Sequence, residues 1–144
     1  EKNRNRIRIC HSRNESGMTQ DEILQEHSLD EDGVLLSSSL WEGVDLKDDL
    51  SRFQIIAKVP YPNLSEKRTK VKMQKFPLWY KSQTLTKLLQ GFGRSIRSED
   101  DWAVTYVLDS AASDLLLQSK SMIPKAYQDV LGFPSYDSSI KSTL

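Results

Sequence analysis

The segment QGFGRSIR, residues 90–97, combines residue types that could bind a phosphate group. Arg94 and Arg97 each carry a guanidinium group, whose planar fork of N–H donors suits paired contacts with phosphate oxygens. Gln90 adds an amide one helical turn earlier. Each glycine in a helix costs about 1 kcal/mol relative to alanine. The two glycines therefore predict that another group comes close to the backbone here.

A helix running from about Thr84 through residue 97 would separate apolar and polar side chains. At 100° per residue the following side chains share one stripe: Leu85, Leu88, Leu89, Phe92 and Ile96. Gln90, Arg94 and Arg97 stand at i, i+4 and i+7, so they share the opposite side. The glycines then flank the polar side. The alternative, a surface helix with two unpaired arginines, explains neither the glycines nor the shared face.

A second candidate segment is SSSLWEGVDL, residues 37–46, which follows the apolar run VLLS. Ligands of parallel α/β sheets bind beyond the carboxyl ends of strands. There Asp45 could accept a hydrogen bond from a ribose hydroxyl, and the serine hydroxyls could bind a nucleic-acid phosphate. Gly43 permits a tight turn. Taken alone, the segment is equally typical of an ordinary polar loop.

Four short apolar or alternating segments predict the strands that position these residues: 6–11, 34–37, 53–59 and 103–109. The second and third lack alternation, which is typical of strands buried on both faces of a parallel sheet. Between the first two, Thr19 and Glu22 form a capping-box pattern, so a helix should begin at about Thr19. Strands alternating with helices predict an α/β domain with a largely parallel sheet.

The segment SEKRTKVKMQK, residues 65–75, contains five basic residues and one acidic residue. A solvated helix face is the simpler interpretation. The alternative is a basic wall beside a phosphate backbone.

Composition excludes several function classes. The 144 residues contain twenty basic and twenty acidic side chains, which argues against a wholly electrostatic nucleic-acid binder. No apolar run approaches a membrane span, so we expect no membrane partner. A single cysteine, Cys10, makes no internal disulfide, and His11 and His27 lack metal-ligand spacing. We expect structural histidines, no metal site and an intracellular location, cytoplasmic if the source is prokaryotic or archaeal.

Taken together, EGVD, the later QGFGRSIR and the following SEDDW resemble the second motor domain of superfamily 2 helicases. The likeness is to the XPD/DinG group, whose motif V (SxxxEGxD) matches residues 38–45 and whose motif VI (QxxGRxxR) matches residues 90–97. The segment KVPYPN, 58–63, also looks like that group. The resemblance covers residues 33–110 well and implies a RecA-like parallel sheet flanked by helices on both faces.

For the nucleotide, the resemblance implies that Arg94 and Arg97 act as arginine fingers on the γ-phosphate of ATP. Gln90 would lie near the γ-phosphate or the attacking water. The ATP-contacting residues that it implies besides these are Asp45 at the ribose, Gly43 and Gly93.

For nucleic acid, the resemblance implies that Ser38 and Ser39 touch the backbone of single-stranded DNA. Lys70 of the basic segment is our further candidate for that groove. The second implied partner is the first motor domain of the same protein. Trp102 and Ala103 stand where the group often has Tyr and Gly, which affects only the expected local packing.

The sequence contains neither a GxxxxGK[ST] phosphate loop nor a DEAH-like box. Phosphoryl transfer needs the phosphate cradle and the metal as well as the arginines. We therefore expect ATP and Mg²⁺ to be bound jointly with a first motor domain, and this chain alone to be inactive. Any iron–sulfur cluster would lie in that other domain. The expected domain spans 1–132, with a loose tail over 133–144.

A different class of function also fits the motifs. The chain could be a non-catalytic α/β module that binds nucleic acid or a partner and keeps the motifs as scaffolding. The reading frame upstream of Glu1 would encode a phosphate loop and an acidic box in the helicase case, and neither in the other.

Overall fold

The computed structural model describes residues 6–10, 17–38, 46, 48–93 and 102–132. Its strands are β1 (Ile7–Cys10), β2 (Val34–Ser37), β3 (Phe53–Ile56) and β4 (Val104–Val107). Its α-helices are α1 (Gln20–Ser28), α2 (Lys67–Lys75), α3 (Pro77–Phe92), α4 (Ser110–Gln118) and α5 (Lys125–Gln128). Over these ranges, none of the helices combines the length and apolar character that crossing a bilayer requires. The predicted tail, 133–144, lies outside the described residues.

The strands pair in parallel, as two two-stranded sheets. β1 lies beside β2 with Ile7 opposite Val34, and β3 lies beside β4 with Phe53 opposite Val104. A parallel pair needs a crossover, and here α1 connects the first pair while α2 and α3 connect the second. The α/β class with parallel strands is therefore confirmed, as is each of the four predicted strands.

Helix α1 begins where the capping box predicts. The Glu22 backbone N–H donates to the Thr19 hydroxyl oxygen at 3.3 Å, and the Thr19 N–H donates to the Glu22 carboxylate at 2.7 Å. These two bonds satisfy donors that the first turn leaves without helical partners. The backbone bond from Thr19 also lowers the pKa of Glu22 below its usual value.

The main core lies between the second strand pair and helices α3 and α4. Leu85, Leu88 and Leu89 of α3 are buried there against Ile56 and Val59, and the rest of the buried cluster comprises Ala112, Leu115, Leu116 and Ile123. Leu88 is 0% exposed. The apolar stripe predicted for this helix is thus confirmed, although Ile96 lies outside the described residues.

The predicted bounds of this helix are wrong at both ends. Helix α3 begins at Pro77 rather than near Thr84, and it ends at Phe92 rather than continuing through residue 97. Proline at the first helical position has a suitable φ and lacks only an N–H that would have no partner there. The prediction followed the leucine stripe and overlooked this start signal.

The apolar runs predicted that β2 and β3 are buried on both faces, and this prediction is wrong for the described residues. Val34 and Leu36 of β2 are exposed while Leu35 and Ser37 are half-buried. In β3, Phe53 and Ile55 are also exposed, at 67% and 66%. The described residues cover one face of each strand pair, because α1 packs on the first pair and α3 with α4 on the second.

Two single-residue features belong to the scaffold. Cys10 is a buried free cysteine, and burial raises the pKa of its thiol, which disfavours the reactive thiolate. The Nε2 atom of buried His27 lies 3.1 Å from the carbonyl oxygen of Leu50. This contact connects α1 to the 3-10 turn Asp48–Ser51, so His27 has the structural role that the sequence predicts.

Asp109 joins the ends of both strands in the second pair, and its replacement tests that junction. One carboxylate oxygen accepts from the Val59 N–H at 3.1 Å, and the other accepts from the Ala111 N–H at 3.2 Å as the N-cap of α4. We expect Asp109→Ala to lower the melting temperature by about 3–8 °C near neutral pH, the usual effect of losing a cap. Thermal unfolding followed by circular dichroism measures this, with exposed Asp114→Ala as the matched control.

The effect should depend on pH in one direction. The Val59 N–H, then the Ala111 N–H, lower the pKa of Asp109 in the folded chain. A lowered folded pKa adds stability above the unfolded value, near 4, and this stability is lost as the pH falls through the folded pKa. The melting temperatures of the wild-type chain and Asp109→Ala should therefore approach each other as the pH falls below about 4. A difference that stayed constant down to pH 2 would contradict the charged role of this carboxylate.

Candidate functional site

Gln90 occupies the last turn of α3, where its side chain is exposed. Leu85, Leu88 and Leu89 of the same helix are buried, so the helix has the predicted two-sided character. Arg94 and Arg97, the other members of the predicted polar face, lie outside the described residues. The described part of the candidate site is therefore built around Gln90.

A cavity of about 350 Å³ lies beside Gln90. Its residues come from two elements, the segment after β3 and the exposed side of α3: Pro60, Pro62, Gln83, Thr86, Lys87 and Gln90. Two amides, a hydroxyl and an ammonium group thus face rigid proline rings. Such a set can donate several hydrogen bonds and one positive charge, which suits an anionic or strongly polar group.

Specific contacts hold the side of this cavity that is formed by Pro60 and Pro62. The Tyr61 N–H donates to the Val59 carbonyl at 2.9 Å, and the Tyr80 hydroxyl donates to the Pro62 carbonyl at 3.1 Å. The rings of Tyr61 and Tyr80 stack with centroids 5.9 Å apart. Burial, followed by the neighbouring Tyr61, raises the pKa of Tyr80, so it stays a neutral donor. Segment 59–62 is thereby fixed against α3.

The two glycines of the motif have different surroundings from those predicted. Gly91 is buried in α3 and does not flank the exposed side. Gly93 has an ordinary φ of −79°, but a Cβ there would lie 3.2 Å from the Tyr127 hydroxyl oxygen. The prediction that a group approaches the backbone is correct at Gly93, and the approaching group belongs to this chain. Whether Gly93 also contacts ATP stays a prediction.

The start of β4 is fastened by Trp102. The Arg52 guanidinium donates to the Trp102 carbonyl at 2.7 Å and lies 5.2 Å from the centre of its ring. Phe53 meets the same ring edge-to-face with centroids 6.2 Å apart. Trp102, where the XPD/DinG group often has Tyr, therefore connects the beginnings of β3 and β4 in this chain.

The remaining candidates are distributed over other elements. Ser38 is exposed directly after β2, and Lys70 is exposed on α2. Neither residue lines the cavity beside Gln90. Ser39, Gly43 and Asp45 lie outside the described residues, so their predicted contacts stay predictions.

Three cavity residues were missed by the sequence analysis: Gln83, Thr86 and Lys87. A signal for them exists, because Gln83, Lys87 and Gln90 stand at i, i+4 and i+7 and so share one side of a helix. The signal was lost since the predicted helix began at Thr84, after Gln83. Recognising Pro77 as the first helical residue recovers this polar side.

A comparison with protein families agrees with the motifs. Residues 1–129 match a family model described as a helicase C-terminal domain. Because this match covers most of the chain, the chain belongs to that family. A helicase C-terminal domain is one of the motor domains of a helicase and implies an association with nucleic acid.

Proposed function

From this family membership, we propose that the chain is the second motor domain of an ATP-dependent DNA helicase of the XPD/DinG type. In this proposal the ATP site is shared with a first motor domain, which supplies the phosphate loop and the Mg²⁺ ligands. The present chain supplies the motif V loop and the arginines of motif VI. It also forms part of the groove for single-stranded DNA.

The observation that carries the proposal is the placement of Gln90. The first residue of QxxGRxxR is exposed at the carboxyl-terminal turn of a helix whose other side is anchored in the core. The motif thus continues from a rigid element, as a site that must hold a reacting group requires. The cavity beside Gln90 joins this turn to the proline segment that also resembles the group.

The proposed chemistry is charge stabilisation across a domain boundary. Phosphoryl transfer spreads negative charge over the oxygens of the γ-phosphoryl group, and a positioned guanidinium stabilises that charge most in the transition state. We assign this role to Arg94 and Arg97. Gln90 orients the attacking water or holds the γ-phosphate. Bound Mg²⁺ supplies further neutralisation of the phosphate oxygens.

The other assigned residues connect nucleotide and DNA. Asp45 binds the ribose and Gly43 shapes the loop that contains it, while Gly93 allows the nucleotide to approach the end of α3. Ser38, at the carboxyl end of β2, and Ser39 contact the DNA backbone. Lys70 supplies a phosphate contact from α2, where its side chain is exposed.

Replacing Gln90 tests the proposal with a control on the same helix. In a helicase that contains both motor domains, we expect Gln90→Ala to lower DNA-stimulated ATP hydrolysis by about 10²-fold, because the water loses its orientation. Gln83→Ala removes the same amide two turns away, in the same cavity. It should leave the rate within a factor of about three. Phosphate release at saturating ATP and single-stranded DNA measures both rates.

Equal rates for the wild-type protein and Gln90→Ala would remove Gln90 from the catalytic set. Equal losses for Gln90→Ala and Gln83→Ala would instead assign the effect to the cavity as a whole. Hydrolysis of ATP by the 144-residue chain alone would contradict the shared site. Each outcome can be interpreted once circular dichroism shows that the variants are folded.

A further inference from the structure

Helix α2 differs from the other long helices because it takes no part in the core. None of its nine residues is buried. Thr69 and Met73 are half-buried on the side that faces α3, and the other seven are exposed. Packing against the core therefore does not explain why this helix has the sequence KRTKVKMQK.

The exposed side of α2 is strongly cationic. It displays five basic side chains: Lys67, Arg68, Lys70, Lys72 and Lys75. None of the five has an ion-pair partner among the described residues, and the carboxylate of adjacent Glu66 accepts instead from the Thr69 hydroxyl at 3.2 Å. Because the whole chain is neutral, this charge is a local concentration.

The arrangement of these charges destabilises the helix. Three like-charged pairs stand at i, i+3 or i, i+4, where helical side chains are neighbours: 67/70, 68/72 and 72/75. Lys67 and Arg68 also occupy the first turn, where the helix dipole disfavours cations. Lys72 and Lys75 stand in the last turn, where the dipole favours cations, so the unfavourable contributions come from the first turn and from the like-charged pairs. A bound polyanion would offset these repulsions.

Two aromatic residues adjoin the cationic side and indicate which polyanion fits. Phe76 directly follows α2 and is 59% exposed. Trp79 lies one turn into α3, with the Lys72 ammonium 3.9 Å from its ring centre. Unpaired bases stack on exposed aromatic rings, whereas bases in a duplex are already stacked. A membrane surface fits less well, because a helix that lies in a membrane has a continuous apolar face. Val71 is the one exposed aliphatic residue in α2.

We propose that α2 and Phe76 form a binding surface for single-stranded nucleic acid, in which the cations contact phosphates and Phe76 stacks on a base. This proposal rests on the proposed function and deepens it. It adds a surface, besides the motif V serines, along which the strand is held.

Salt-dependent binding of an oligothymidine of about 16 nucleotides, labelled with fluorescein, tests the surface in the 144-residue chain. We expect Lys67→Gln with Lys75→Gln to weaken binding and to reduce the slope of log K against log salt. The reduction should be about 1.4, because each lost phosphate contact on a single strand removes about 0.7. Lys120→Gln with Lys125→Gln removes the same charge from exposed sites elsewhere and should change neither quantity.

Phe76→Ala separates stacking from charge. It should weaken oligothymidine binding by roughly tenfold while leaving the salt slope unchanged. Leu78→Ala is the matched control, since Leu78 is an exposed apolar residue two positions away. If Phe76→Ala has no effect and a DNA duplex binds as tightly as the single strand, the surface is a general polyanion site and the proposal is wrong.

Ser38→Ala distinguishes this surface from the proposed function. Normal binding by the α2 variant with weakened binding by Ser38→Ala would overturn the α2 surface and leave the motif V groove standing. The reverse result would support the α2 surface and would exclude Ser38 from the residues that contact DNA. No binding of oligothymidine by the wild-type chain at low salt would overturn the α2 surface, while the groove shared with a first motor domain would still stand. Binding of phosphatidylserine vesicles through the α2 lysines, without oligothymidine binding, would assign α2 to membranes instead.

Discussion

In a helicase that contains both motor domains, Arg97→Ala is expected to lower DNA-stimulated ATP hydrolysis by about 10³- to 10⁵-fold. Under the proposed function, this guanidinium meets the negative charge that grows on the γ-phosphoryl oxygens as the bond to the leaving group breaks. Its loss raises the energy of the transition state more than that of bound ATP. The rate constant at saturating ATP should therefore fall far more than the affinity for ATP.

Comparison variants separate this role from a general effect of charge. Arg97→Lys keeps the positive charge and loses the bidentate fork, so its rate should lie between those of the wild-type protein and Arg97→Ala. Arg94→Ala should behave like Arg97→Ala. Binding of single-stranded DNA without nucleotide should be unchanged, because the proposed role is on the ATP side. A rate for Arg97→Ala within threefold of wild type would exclude an arginine finger at this position.

The locally encoded parts of the fold were predictable from sequence. Thr19 and Glu22 lie three residues apart, and their reciprocal bonds form within one turn, so the start of α1 follows from two letters of the sequence. The leucine stripe of α3 likewise identifies its buried side without reference to any other element. Both features depend on backbone periodicity, which the sequence displays directly.

Features that depend on distant residues were not predictable in this way. An apolar run such as VLLS indicates that a strand can be buried, but it does not indicate which segments provide the cover. In the described residues one face of β2 remains exposed. The burial of Gly91 and the approach of Tyr127 to Gly93 also depend on how α3 meets neighbouring elements.

The candidate site shows the same division. The exposure of Gln90 followed from its position opposite the leucine stripe. The cavity beside Gln90 did not follow from the sequence, because Pro60 and Pro62 lie against α3 only through contacts such as the hydrogen bond from Tyr80 to Pro62. The basic character of α2 was visible in the sequence, whereas its complete lack of buried residues required the structure.

The largest expected loss of stability is at Leu88, a fully buried leucine on the core-facing side of α3. Leu88→Ala removes three carbon atoms from contact with the core and leaves a cavity that the surrounding helices can fill only in part. Such changes cost about 2–5 kcal/mol in the free energy of unfolding. Single domains are stable by only about 5–15 kcal/mol, so this variant should lose a large fraction of its free energy of unfolding. Urea denaturation of the 144-residue chain measures the difference.

Two variants make the result specific to the core. Leu88→Met keeps most of the volume and should cost less than about 1.5 kcal/mol. Leu78→Ala makes the same deletion in the same helix at a site that is 74% exposed, and it should change stability by no more than about 0.5 kcal/mol. Because α3 also holds Gln90, Leu88→Ala should reduce ATP hydrolysis in the two-domain helicase in parallel with the loss of folded protein. A Leu88→Ala chain as stable as Leu78→Ala would mean that α3 does not pack against β3 and α4 as described.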